Sequence, residues 1–171
     1  EELMNVKCEI DKIPSKKWEK AKKKVNKYEY IYTSSRRNRN VCSILPVSRS
    51  YFKIYEILKD IIRLDNEGVS GCIAEGPGGF LEAINNYRKK YFSIKDNIYG
   101  ITLRSTDNDI PGWKKARDFL DRNRNIQVIY GIDNTGNIYN YKNIKYFKTS
   151  LEDKAYITTA DGGFDFSIDF N

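Results

Sequence analysis

Val69-Ser70-Gly71-Cys72-Ile73-Ala74-Glu75-Gly76-Pro77-Gly78-Gly79-Phe80-Leu81 is the stretch from which the fold is read. It begins as a short buried-strand pattern, passes through a glycine turn, and continues into the helical pattern Phe80-Leu81-Glu82-Ala83-Ile84. Strand, glycine turn and helix start in that order make a corner where a phosphate or a cofactor meets main-chain N–H groups. Glycine admits positive φ and close approach, while Pro77 removes one donor and stiffens the turn. The dinucleotide fingerprint would need glycine where Leu81 stands, and no G-K-[ST] follows as a P-loop requires. The corner therefore points away from NAD and ATP and toward another adenosine ligand.

Working outward, strands alternate with helices. Upstream, Ser15 reads as the N-cap of a helix over residues 16–28, with Trp18, Ala21 and Val25 at spacings of three and four. Its lysines, Lys20, Lys22, Lys23 and Lys24, form either a plain solvated face or one turned to RNA. The polar run 33–40 carries Arg36, Arg37 and Arg39 and reads as a loop, either a linker or a phosphate-binding arm. Ser50 is placed to cap a helix over 51–64 whose stripe is Ile54, Ile57, Leu58, Ile61 and Ile62, with Lys53 at its edge. Taken alone, a lysine there would snorkel outward.

Downstream, a strand over 69–74 and a helix from the corner to residue 91 precede a strand over 98–103. A turn-rich segment over 105–112 leads to a short helix over 113–122 and a strand over 126–130. The loop 133–137 and a strand over 155–160, ending at Asp161, complete the pattern. Such alternation predicts an α/β fold with a doubly wound, mostly parallel sheet covered on both faces, and ligands beyond the carboxyl ends of its strands.

The chain has 171 residues, no histidine, and 30 Lys+Arg against 23 Asp+Glu, a net charge of +7. That length suits one globular domain, and the charge suits a polyanionic partner without requiring one. Histidine-based triads and histidine metal sites are excluded. Cys8, Cys42 and Cys72 are odd in number and show no C-x-x-C spacing, so neither a disulfide framework nor a metal site is expected, and a reducing compartment fits. No apolar run has the length of a membrane span.

Five blocks in order resemble the FtsJ-like RNA 2′-O-methyltransferases, and among them the cap-specific mRNA nucleoside-2′-O-methyltransferases. They are Ser48-Arg49-Ser50-Tyr51-Phe52-Lys53, Glu75-Gly76-Pro77-Gly78-Gly79-Phe80, Tyr99-Gly100-Ile101-Thr102-Leu103, the segment from Tyr130-Gly131-Ile132-Asp133 to Gly136-Asn137-Ile138, and Ala160-Asp161-Gly162-Gly163-Phe164. The resemblance implies a Rossmann-like domain that uses S-adenosylmethionine to methylate the ribose of the first transcribed nucleotides of capped mRNA. It assigns two members of a Lys-Asp-Lys-Glu tetrad to Lys53 and Asp161. It gives the cofactor to Ser48, Ala74, Glu75, Gly76, Pro77, Gly78, Gly79, Phe80, Asn137 and Ile138, and implies no metal. By their charge, Arg36, Arg37 and Arg39 of the polar run, with Arg49, are the candidate RNA contacts.

Asn137 stands where the family commonly carries an acidic residue near the adenine, and an amide can still hydrogen-bond the ring. The tetrad's second lysine and its glutamate are expected in chain beyond Asn171, so the sequence reads as the N-terminal portion of a methyltransferase domain over 48–171, truncated after the aspartate strand. Residues 1–47 read as a basic, RNA-facing extension. Capped mRNA, other capping or transcription proteins and the rest of its own chain are the expected partners. An intracellular reducing compartment is the expected location, whether cytoplasm, viral factory or nucleus. Two alternatives stay open: an inactive RNA-binding module that keeps the sheet, and a ribosomal or transfer RNA 2′-O-methyltransferase.

Overall fold

The apolar run before the glycine corner forms β1 (Val69–Ile73), and its three central residues are buried. The computed structural model describes residues 2–25, 42–62, 66–92, 96–106, 110–152 and 154–162. Two compact units are present, Glu1–Leu45 and Pro46–Asn171. In the first, α1 (Glu2–Asp11) was not anticipated, and α2 (Ser15–Val25) starts at Ser15 itself. Ser15 is thus the first helical residue and not the cap, and the Pro14 carbonyl accepts from the amides of Lys17 and Trp18. Val25 is exposed and α2 buries none of its residues, so the Trp18, Ala21, Val25 stripe is not a core face. Arg36, Arg37 and Arg39 lie outside the described residues.

In the second unit the elements after β1 are α4 (Gly79–Phe92), β2 (Asn97–Ile101), a 3₁₀ turn (Lys114–Ala116) running into α5 (Arg117–Arg122), β3 (Ile126–Ile129), α6 (Tyr141–Ser150) and β4 (Ala155–Ala160). Ahead of β1 lies α3 (Ser50–Asp60). Among the described residues the sheet is four-stranded and wholly parallel, in the order β3-β2-β1-β4. The chain winds outward from β1 through β2 to β3 and then returns to the other side of β1. The switch in strand order therefore falls between β1 and β4, where ligands gather in such sheets.

Alternation along the strands sorts the core into two layers. Cys72, Ile98, Ile126 and Ile157 face α3, α4 and α5, packing on Leu58, Leu81, Ile84 and Phe119. On the other face Ile73, Tyr99, Ile101 and Ile129 meet Phe147 and Leu151 at the end of α6. The sheet is thus covered on both faces, but the helix covering the second was not foreseen. Its signals were present: Asn140 caps α6 by accepting from the Lys142 amide at 3.1 Å, and Ile144, Phe147 and Leu151 recur at helical spacing.

The α3 helix stops four residues earlier than expected, at Asp60, and its buried stripe is Tyr51, Ile54 and Leu58, with Ile61 78% exposed. Ser50 does not cap it; Arg49 occupies the N-cap position without a side-chain bond, and the Ser50 hydroxyl pairs with that of Ser48. At the amino edge of the sheet, the fully buried Arg88 of α4 holds Asp96 through Nε at 2.6 Å and Nη2 at 3.1 Å. Asp96 also accepts from the Gly68 amide and from the Tyr156 hydroxyl, so one carboxylate ties together the approaches to β1 and β2 and the body of β4. Among the described residues no helix is long and apolar enough to cross a membrane.

Candidate cofactor and catalytic site

Parallel register aligns the strand ends that form the site. Ile73 pairs with Ile101 on one side and with Ala160 on the other, so Ala74, Thr102 and Asp161 emerge side by side from three adjacent strands. The corner after β1 is held by its own carboxylate. Glu75 is buried, and its Oε1 accepts from the amides of Phe80 at 2.6 Å and Leu81 at 3.1 Å, capping α4. Glu75 and Phe80, expected as cofactor contacts, hold the corner's shape, with the Phe80 ring in the core.

The glycines are also used by the protein itself. A Cβ on Gly76 would overlap the Pro111 carbonyl oxygen, and one on Gly79 would overlap the hydroxyls of Ser48 and Ser50. Gly78 has φ +114° and lies against Ala116 and Trp113. The missing side chains let α3 and the segment 111–116 close on the turn. Gly78→Val would strain the corner whatever it binds.

Burial pushes the Glu75 carboxyl up to about 7 from an ordinary 4.5, against the two amides that lower it, with nearby Asp161 raising it further. A carboxyl raised on folding binds its proton more tightly in the folded state. Its stabilising contribution is complete below about pH 4.5 and is lost as pH rises to about 7. Glu75→Gln keeps an acceptor for both amides and removes the titration. The variant is expected to exceed the parent in stability by about 1–3 kcal/mol at pH 8 and to match it near pH 4, as read by urea unfolding at the two pH values. Parallel pH profiles for the two proteins would count against a buried, titrating Glu75.

Beyond β3 the loop 131–140 is built on one buried amide. Asn143 of α6 is 0% exposed, and its Nδ2 donates to Asp133 Oδ1 at 2.8 Å and to the Asn137 carbonyl at 3.0 Å, while its Oδ1 accepts from the Asp133 amide at 3.3 Å. Asp133 also accepts from the Thr135 hydroxyl at 2.7 Å and amide at 3.0 Å and from Asn140 at 2.7 Å. These bonds, the Thr135 hydroxyl first, hold its carboxyl far below the usual range. Gly136, at φ +69°, seats the loop on the end of β2, where a Cβ would overlap the Thr102 carbonyl.

The result is a pocket of about 130 Å³ lined by Ala74, Thr102, Leu103, Gly136, Asn137, Ile138 and Tyr139. Of the expected cofactor residues it brings together Ala74, Asn137 and Ile138. Pro77 lines a separate depression of about 100 Å³ with Pro111 and Lys115, and Ser48 sits behind Gly79. Thr102, Leu103, Gly136 and Tyr139 were not among the expected site residues, although each stands just past a strand end or beside Asn137. The Asn137 Oδ1 accepts from the Tyr139 amide at 2.9 Å, which fixes the turn at the pocket rim.

Past the end of β4, Lys53 Nζ lies 2.9 Å from both Oδ1 and Oδ2 of Asp161, across 108 residues of sequence. The side chains are 62% and 33% exposed. An ion pair this open adds only about 0–1 kcal/mol to stability, so fold maintenance is a poor account of it. Arg49 lies exposed beside Ser48 and Ser50 at the start of the same helix.

The FtsJ-like methyltransferase family model matches residues 46–170, nearly the whole second unit. The chain belongs to the FtsJ-like methyltransferase family. No curated protein matches the chain. FtsJ-like enzymes are methyltransferases, RNA 2′-O-methyltransferases among them, and typically use S-adenosylmethionine. For an FtsJ-like domain, the four-stranded parallel sheet with its strand switch between β1 and β4 is the Rossmann-like frame that a nucleoside cofactor needs.

Proposed function

We propose that this FtsJ-like methyltransferase transfers the methyl group of S-adenosylmethionine to the ribose 2′-hydroxyl of the first transcribed nucleotides of capped mRNA. The contact between Lys53 and Asp161 at the carboxyl edge of the sheet carries this reading, because both residues stand in blocks that resemble the cap-specific enzymes.

The residues present fit the cofactor's adenosine end. The pocket of about 130 Å³ walled by Leu103 and Ile138 is half-open and would take one face of the adenine base, leaving the ribose outside it. Asn137 would supply a polar contact at its rim. From there the methionine end would pass Ala74 toward Asp161, across the strand switch. S-adenosylmethionine, when bound, supplies a methyl group on a positive sulfur.

This chain's part is positioning and charge. Asp161 grips Lys53 through both carboxylate oxygens, and the held ammonium gives a fixed positive field where the ribose hydroxyl loses its proton. A capped transcript and an intracellular, reducing location go with this reading.

Incubating the full-length protein with methyl-labelled S-adenosylmethionine and capped or uncapped RNA tests it. Label at the 2′-oxygen of the first nucleotide, dependent on the cap, is expected. Equal labelling of uncapped RNA would replace the reading with a ribosomal or transfer RNA enzyme, and cofactor binding without transfer would replace it with an inactive RNA-binding module. The adenosine placement has its own check. Ile138→Ala should weaken S-adenosylmethionine by about tenfold in calorimetry, from one lost apolar wall; unchanged affinity would move the base elsewhere.

A further inference from the structure

A second cavity lies beside the proposed adenosine pocket: a cleft of about 390 Å³ between α5 and the carboxyl ends of β2 and β3. Its size falls within the ~300–1,000 Å³ typical of small-molecule sites. Leu103 lines both cavities and forms the wall between them.

Two kinds of surface meet in this cleft. One is apolar and aromatic: Leu120 and Val128, the Trp113 indole, and Tyr130 with the Arg104 guanidinium 5.2 Å above its ring centre. Trp113 is pinned, since it packs on Gly78 of the corner and a Cβ on Gly100 of β2 would come within 2.8 Å of it. The other is charged, with Arg104, Lys114 and Arg117 set, among the described residues, against the carboxylate of Asp121. Lys114 also lines the next depression, where Lys115 joins it, so the cationic rim continues toward the glycine corner.

A flat apolar slot beside a guanidinium stacked on an aromatic ring suits a planar heterocycle, and a rim of three cations suits a phosphate. We infer that this cleft is a second nucleotide site, distinct from the adenosine pocket, which takes a nucleoside phosphate with its base against Tyr130 and Trp113 and its phosphate on Arg104, Lys114 and Arg117. The ligand is either a free nucleotide or one unit of an RNA strand. The inference does not depend on methyl transfer, because the cleft exists whichever reaction the Lys53 and Asp161 end supports.

Calorimetric titration of the full-length protein with guanosine 5′-monophosphate, adenosine 5′-monophosphate and a 5′-phosphorylated RNA tetranucleotide tests it, each with and without saturating S-adenosylhomocysteine. Saturable binding that persists with S-adenosylhomocysteine present is expected, falling at least tenfold in Arg104→Ala/Arg117→Ala. Both arginines are exposed, so circular dichroism should show an unchanged fold. Lys142→Ala/Lys145→Ala, which removes as much charge from α6, is expected to bind like the parent. Binding of a mononucleotide identifies a free ligand, and binding of the tetranucleotide alone identifies an RNA strand; either supports the site. Absence of saturable binding by all three at millimolar concentration, equal affinity in the arginine variant, an equal loss in the lysine variant, or displacement by S-adenosylhomocysteine would overturn it. Failure of the protein to bind S-adenosylhomocysteine would count against the proposed reaction and leave the nucleotide result to be read directly.

Discussion

Lys53→Ala and Asp161→Ala are each expected to lower methyl transfer to capped RNA by roughly 10²–10⁴-fold in kcat, the range lost with a positioned acid, base or charge. S-adenosylmethionine affinity should stay within about threefold of the parent, because neither residue lines the adenosine pocket and an interaction felt in the transition state alone changes rate more than ground-state binding. Thermal stability should hardly move, since the pair is largely exposed and contributes at most about 1 kcal/mol. Lys53→Arg keeps the charge but replaces a compact ammonium with a planar fork and should recover little of the rate. The measurements are single-turnover transfer and calorimetric cofactor binding. Wild-type rates in both alanine variants would remove the pair from the chemistry.

Asn143→Leu is expected to destabilise the domain by about 2–4 kcal/mol. Leucine keeps the branched shape but is bulkier and has no polar atom, so it crowds a buried site while the Asp133 side chain and amide and the Asn137 carbonyl lose their shared partner. The exposed Asp133 carboxylate keeps Thr135, Asn140 and water, so the cost falls on the crowded helix and on the loop that floors the proposed adenosine pocket. Urea denaturation reads the stability, and calorimetry should show a parallel fall in S-adenosylmethionine affinity. A loss below 1 kcal/mol would mean that water or loop rearrangement satisfies those groups.

The run 69–81 carried its strand, turn and helix openly, because apolar periodicity and glycine chemistry act over a few neighbours. The four strands fell within two residues of where alternation placed them. Their parallel pairing followed from helices standing between them. In contrast, α6 was passed over because Tyr141, Lys142, Lys145 and Lys148 thin its apolar stripe to Ile144, Phe147 and Leu151.

Local pattern determined that this chain makes a parallel α/β sheet with a glycine corner after its first strand, and the order of five short blocks indicated the family. Only the tertiary structure decided that Glu75 turns inward to cap α4, that the spaces at Gly76 and Gly79 are filled by Pro111, Ser48 and Ser50, and that one amide, Asn143, holds the pocket loop. The contact between Lys53 and Asp161 belongs with these. The physical reason is range. Strand order and helix packing bring together Lys53 and Asp161, Gly76 and Pro111, and Gly79 and Ser48, while Glu75 and Asn143 bond within ten residues but turn inward only where the closed sheet buries them.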